Sequence, residues 1–162
     1  MRSRMNSAEI ETRPGERYLK FYLAEQIPAI LAMEYVQEVL MIPARRITPM
    51  PNMPECVVGL LNHRNRVLWV VDLAQILSLQ PLDHNISQYN VILIQAQQMT
   101  LGLLVPEVNG VKYFTPDLVQ SSKELVTSAL IPFLHGCIVQ EQELILVVNA
   151  EAILLAPALY RK

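Results

Sequence analysis

Val57-Val58-Gly59-Leu60-Leu61-Asn62-His63-Arg64-Asn65-Arg66-Val67-Leu68-Trp69-Val70-Val71-Asp72-Leu73 carries the plan of this chain, because the same plan returns later. Gly136-Cys137-Ile138-Val139-Gln140-Glu141-Gln142-Glu143-Leu144-Ile145-Leu146-Val147-Val148-Asn149-Ala150 repeats the order of glycine, polar tip, apolar run, then Asp or Asn. Gly59 and Asp72, like Gly136 and Asn149, stand thirteen positions apart, so the units align without a gap. Each reads as strand, polar turn, strand and a short helix, with matching pairs Ile76-Leu77 and Ile153-Leu154 at the helix ends. Two copies of a hairpin-plus-helix unit imply two similar β lobes, with Gly59 matching Gly136 and Asp72 matching Asn149. Val67 to Val71 show no polar face, which predicts a strand covered on both sides and a buried Trp69.

Outward from the first hairpin, Asp72 with Gln75 three residues on predicts an N-cap and a short helix over 73–79. Asn149 is the equivalent cap for 150–155. Upstream, Pro43 to Pro54 holds prolines at 43, 49, 51 and 54 and reads as a stiff connector without helix or central strand. Tyr18 to Leu23 reads as a strand. Ile27 to Leu40 fits strand, turn, strand better than a helix, because Pro28 interrupts any long helix. In the extended reading Val36, Glu38 and Leu40 face one way and Gln37, Val39 and Met41 the other. Further along, 89–95 and 101–111 each read as one strand, and Thr115-Pro116-Asp117 opens a short helical turn. The division that follows is a flexible tail over 1–17, a first lobe over 18–80, a link over 81–88 and a second lobe over 89–158.

A chain of 162 residues is large enough to bury ~70% of its unfolded surface. Hydrophobic residues make up 52% and charged ones 17%, which excludes general disorder. The apolar stretches fall short of the ~20 residues of a membrane helix, and the first residues lack the apolar core of a signal peptide. The simplest expectation is a cytoplasmic protein with no direct membrane insertion. A net charge of −2 without a clustered basic face disfavours nucleic acid as a partner. Cys56 and Cys137, far apart and each in an apolar run, read as buried free thiols.

Enzyme constellations are thin. No two of His63, His84 and His135 have metal-ligand spacing, and no phosphate loop, nucleophile elbow or dinucleotide fingerprint occurs. No cofactor, metal or catalytic residue is expected. Arg64 has two readings from spacing alone: an exposed turn residue, or a guanidinium presented to a partner's carboxylates or carbonyls. Glu38 divides the same way, between a surface carboxylate and an interface acceptor.

Val36-Gln37-Glu38-Val39-Leu40, Ile47-Thr48-Pro49-Met50-Pro51, Val57 to Arg64 and Val67 to Leu73 closely resemble the CheW family of chemotaxis coupling proteins. The similarity continues through Gly102 to Val108 and the second hairpin, covering roughly residues 18–155. The resemblance implies a mainly β fold of two SH3-like five-stranded β-barrel lobes related by a pseudo-twofold, with short helices. It also implies an adaptor without catalytic activity, bridging a CheA-type histidine kinase and the cytoplasmic tips of methyl-accepting chemoreceptors. Position by position, Glu38, Gly59 and Arg64 fall where that family places residues important for these interactions. His63-Arg64-Asn65 stands in place of Leu-Arg-Gly, Pro106 in place of Asp, and Asn149 where Asp is frequent. These departures suit a specialised paralogue, for instance in a pilus-motility pathway. The rival from another class is a small β-barrel that binds nucleic acid.

Overall fold

The computed structural model describes residues 15–83 and 85–160. They form strands β1 (Glu16–Leu23), β2 (Ile27–Ala32), β3 (Val36–Pro43), β4 (Ile47–Thr48), β5 (Val57–His63), β6 (Arg66–Asp72), β7 (Gln88–Ala96), β8 (Met99–Val105), β9 (Glu107–Phe114), β10 (Leu134–Gln140) and β11 (Glu143–Val148). Two short helices, α1 (Leu73–Ile76) and α2 (Ala150–Leu154), follow the two repeat hairpins. None of the described helices is long and apolar enough to cross a membrane. The single strand expected over 101–111 is two, because Pro106 has no N–H for a ladder and the chain turns there.

One sheet runs β3-β7-β8-β6-β5-β4 and the other β9-β1-β2-β11-β10. Position for position the two orders correspond, and each has one parallel pair at its centre, β6 with β8 and β11 with β2. Where β4 borders β5, the isolated bridge Gln120–Cys137 borders β10. The expected matches therefore hold: Gly59 pairs with Val70 and Gly136 with Val147, each beside a register shift. Asp72 N–H donates to Cys56 O, and Asn149 N–H to Phe133 O, each at 2.8 Å. The architecture is the pair of similar β lobes that the repeat predicts, with the SH3-like form and pseudo-twofold that the resemblance implies.

The lobe boundaries are not where the sequence division put them. β3 to β8, residues 36–105, make one whole sheet, whereas β1 and β2 join β9 to β11. One lobe is thus inserted into the other, and residues 81–88 belong within the inserted lobe instead of linking two halves. The reason is that each hairpin-helix unit needs two more strands beside it. The first unit takes them from β7 and β8, which follow it; the second takes them from β1 and β2 at the other end of the chain. The expected tail over 1–17 falls largely outside the described residues, and β1 takes its last two positions.

Each lobe has its own small core. Ile42, Leu61, Leu68, Val70, Val91 and Leu104 fill the inserted lobe, and Tyr18, Ile30, Ile138, Ile145 and Val147 the other. The largest cluster joins outer faces of both sheets, including Phe21, Leu31, Leu146 and Val148 with Val71, Ile92, Ile94 and Leu103. Burying apolar area on both sides of the central strands is the main stabilising term, at roughly 25 cal/mol per Å².

Two local expectations need correcting. Trp69 is 38% exposed, because the other lobe covers the outer face of β6 only at its Val71 end. Leu68 and Val70 point into the lobe core, while Val67 and Trp69 point outward. Asp72 makes no side-chain cap on α1; its Oδ2 accepts from Leu82 N–H at 2.9 Å, turned towards the loop before β7. Asn149 does cap α2, accepting from Ala152 N–H at 3.1 Å. The helices are also shorter than expected, ending at Ile76 and Leu154. Cys56 and Cys137 are buried and unbridged, as expected.

Candidate functional site

The first hairpin turns through Arg64 and Asn65, both in the left-handed region at φ 53° and 63°. Two consecutive positive φ values make the two-residue turn whose twist matches antiparallel strands. Asn tolerates this conformation; Arg adopts it at a cost of roughly 1 kcal/mol. The same turn recurs at Glu141 and Gln142 of the second repeat, φ 50° and 67°, and outside the repeat at Gln97 and Gln98, φ 51° and 68°, so the backbone is a property of the two-residue hairpin and the side chains are free to differ. They do: the first tip carries Arg64 and Arg66, the second Glu141 and Glu143.

Glu38 reaches this tip because of a bulge in β3. The register against β7 shifts between Val36 and Glu38, leaving Gln37 as the extra residue, held by a bond from its Nε2 to Gln95 Oε1 at 2.9 Å. Glu38 then pairs with Leu93, and the strand alternates as expected, with Val36, Glu38 and Leu40 half-buried and Gln37, Val39 and Met41 exposed. His63 continues β5 two residues past the core residue Leu61 and so lies over the end of the same lobe core.

Three side chains meet there. Arg64 Nη2 donates to Glu38 Oε2 at 3.1 Å. His63 Nε2 stands 3.1 Å from Glu38 Oε1, and Arg64 Nε donates to that same His63 nitrogen at 3.2 Å. One ring nitrogen cannot both accept from Arg64 and donate to Glu38. A neutral ring with a bare Nε2 holds Arg64; a ring protonated there holds Glu38. The bonds from Arg64 and then His63 keep the Glu38 carboxyl below the usual carboxylate range. The Arg64 side chain is 73% exposed, so the ion pair fixes a direction more than it adds stability.

Of the expected site residues, Glu38 and Arg64 are brought into contact and Gly59 is not. Gly59 is buried beneath β4, where a Cβ would stand 2.3 Å from Thr48 O; Gly136 meets Gln120 O in the same way at 2.4 Å. Gly59 therefore acts through the packing of β4 on β5. Sequence reasoning missed His63 as a member of the cluster. Its signal was the spacing from Leu61, which puts both on one face of β5. Among the described residues no group of three or more His, Cys, Asp and Glu side chains is placed to hold a metal ion.

Residues 17–157 match the family described as the CheW-like domain. The chain belongs to that family. A probable chemotaxis protein CheW of Rhizobium etli is 28% identical over 106 residues, 65% of this chain and 68% of that protein. Protein PilI of Pseudomonas aeruginosa is 34% identical over 115 residues, 70% of this chain and 62% of PilI. Among solved structures, the scaffolding protein TtCheW of Thermoanaerobacter tengcongensis matches with a TM-score of 0.72 at 22% identity, over 83% of this chain and 89% of that one. That likeness establishes the two-lobed CheW fold. With the family in hand, the bulged β3, the left-handed turn at Arg64 and the crowded Gly59 become features of a CheW-like scaffold of chemotaxis-type signalling.

Proposed function

We propose that this CheW-like protein is a noncatalytic adaptor that couples a CheA-type histidine kinase to the cytoplasmic tips of methyl-accepting chemoreceptors. It works in the cytoplasm and is recruited to receptor arrays. The observation that carries the reading is the Glu38–His63–Arg64 cluster at the open end of the inserted lobe. An exposed guanidinium aimed by a carboxylate and set on a rigid hairpin is suited to bidentate recognition of a partner's carboxylates or carbonyls. Nothing in the cluster supplies a nucleophile with its base, so its chemistry is recognition. Coupling then means holding receptor and kinase in a geometry whose activity shifts with receptor state. The likeness to PilI supports a pilus-motility version of the pathway.

Reconstitution tests this directly. Purified kinase and a receptor cytoplasmic fragment are assayed for autophosphorylation with and without the chain. The adaptor reading expects receptor control of the kinase only when the chain is present, and loss of that control with Arg64→Glu. A chain that binds neither component, or that leaves kinase control unchanged, rejects the reading.

A further inference from the structure

The two repeat hairpins turn alike but carry different side chains, and one group at the first tip changes charge near neutral pH. His63, Arg64 and Arg66 correspond to Gln140, Glu141 and Glu143, and His63 pairs across its hairpin with Arg66 as Gln140 does with Glu143. The His63 side chain is 17% exposed, far less than that of Arg64 beside it. Charged groups surround this ring from three elements besides its own strand. Glu38 of β3 lies 3.1 Å from Nε2 and is the anion within ion-pair distance of it among the described residues. Arg64 of the turn donates from Nε to the same nitrogen at 3.2 Å. Arg66 of β6 is engaged elsewhere, its Nη2 donating to Thr100 Oγ1 at 3.0 Å. Arg46, between β3 and β4, donates from Nη2 to the carbonyl of Asn62 at 2.7 Å.

We propose that His63 is the positioning residue of this tip: its neutral ring, bare at Nε2, fixes the direction of the Arg64 guanidinium, and protonation of the ring releases it. The inference rests on the recognition role proposed for Arg64 and adds its regulation. A guanidinium is a rigid planar fork of five donors. Two of them, on Nε and Nη2, are taken by His63 and Glu38, which leaves the Nη1 edge to a partner. An imidazolium has no lone pair on either nitrogen. Once the ring is charged, Nε2–H donates to Glu38, while the Arg64 Nε–H loses its acceptor and meets a second cation competing for the same carboxylate. Arg64 then keeps the single bond from Nη2, too little to hold an exposed side chain in one geometry. The cost of ordering it again falls on the partner. Recognition at this tip therefore weakens as pH falls through the range in which an imidazole titrates. Leucine, which stands at this position in the family pattern, can neither hold the guanidinium nor release it.

Two measurements on the full chain test this, and the first needs no partner. Nitrogen NMR follows the His63 ring and the Arg64 Nε–H from about pH 8 to about pH 5.5, a span in which an imidazole changes charge. Glu38, held below the usual carboxylate range, stays ionised throughout. The ring signals are those missing from His63→Gln. The expected result is a bare Nε2 at the upper end and an Arg64 signal that moves with the titration of the ring. A neutral ring carrying its proton on Nε2, or an Arg64 signal indifferent to the titration, overturns the inference. The second measurement is affinity for the purified kinase and for the receptor fragment over the same span, in the parent and in His63→Gln. The glutamine amide oxygen accepts from Arg64 at every pH, and Gln140 occupies the matching place beside the same turn, so the variant should melt like the parent. Titrations of the partner act on both proteins alike. Affinity of the parent should fall about threefold to tenfold more than that of the variant. Equal pH profiles with binding intact overturn the inference and leave the adaptor reading standing. Absence of binding by either protein at any pH rejects the adaptor reading and the regulation with it.

Discussion

The carbonyl oxygen of Thr48 stands 2.3 Å from the point that a Cβ on Gly59 would occupy. The oxygen belongs to backbone and a Cβ is fixed rigidly to its own, so neither a rotamer change nor a small shift relieves the clash. Gly59→Ala is expected to cost at least ~2 kcal/mol by forcing β4 off β5. Gly136→Ala should behave alike against Gln120. Urea unfolding of both variants checks this; a midpoint equal to the parent's at Gly59 would mean that β4 is not held there.

Arg64 is expected to separate binding from stability. Arg64→Glu loses a solvent-screened surface ion pair and should barely move the melting temperature. If its guanidinium is a desolvated anchor, affinity for kinase or receptor tip falls by ~2 kcal/mol or more. Calorimetry with each partner, beside thermal melting, reads both effects. Arg64→Gly offers the complementary case: relief of the left-handed backbone should offset the lost pair, leaving stability equal or higher by up to ~1 kcal/mol while binding still drops.

The Glu38 carboxyl titrates below its ordinary value because of its hydrogen bonds with Arg64 and then His63. A depressed folded-state value means that the stabilisation is present above the unfolded carboxylate value and is lost as pH falls through the folded one. Urea midpoints measured from neutral pH into the acid range should therefore decline less steeply in Glu38→Gln than in the parent. Identical slopes would show that the carboxylate is not held by its two partners.

A fully buried Trp69 would cost ~3–5 kcal/mol on truncation. With the ring half out of the protein, Trp69→Ala should cost less than ~2 kcal/mol. Acrylamide should quench its emission readily. Strong protection from quencher in the isolated chain would put the ring back in a core.

Burial pushes both the Cys56 and Cys137 thiols above their usual range. Since the thiolate is the reactive form, neither should react with Ellman's reagent at neutral pH until denaturant is added. Two thiols should then appear. Rapid labelling of the native protein at either position would contradict the packing around it.

The repeat was legible because a hairpin imposes local rules: a glycine where strands crowd, a polar tip, and a polar residue at the start of the helix. Asn149 followed that logic into a real cap. Asp72 did not, because a carboxylate found a backbone N–H at Leu82 in a loop whose position no local rule gives. Trp69 was misjudged for a related reason. An apolar run without alternation marks both faces as able to be buried, but which stretch is covered depends on the other lobe. Glu38 and Arg64 lie 26 residues apart in sequence, and only the resemblance to a known family linked them before the β3 bulge explained their contact. His63 went unrecognised because its partners come from another strand and from its own neighbour.

The insertion of one lobe within the other has a consequence for biosynthesis. Once residue 105 has emerged from the ribosome, every strand of the inserted sheet is available and that lobe can close. The hairpin of β1 and β2 was made first, yet its partners β9 and β11 are made last. Through most of synthesis it must wait with bare edges on both sides, and such edges template pairing with other chains. A nascent chain stalled before β11 is thus half finished in a specific way, with a folded centre and a sticky leading hairpin. It is at that stage that a chaperone would find its client.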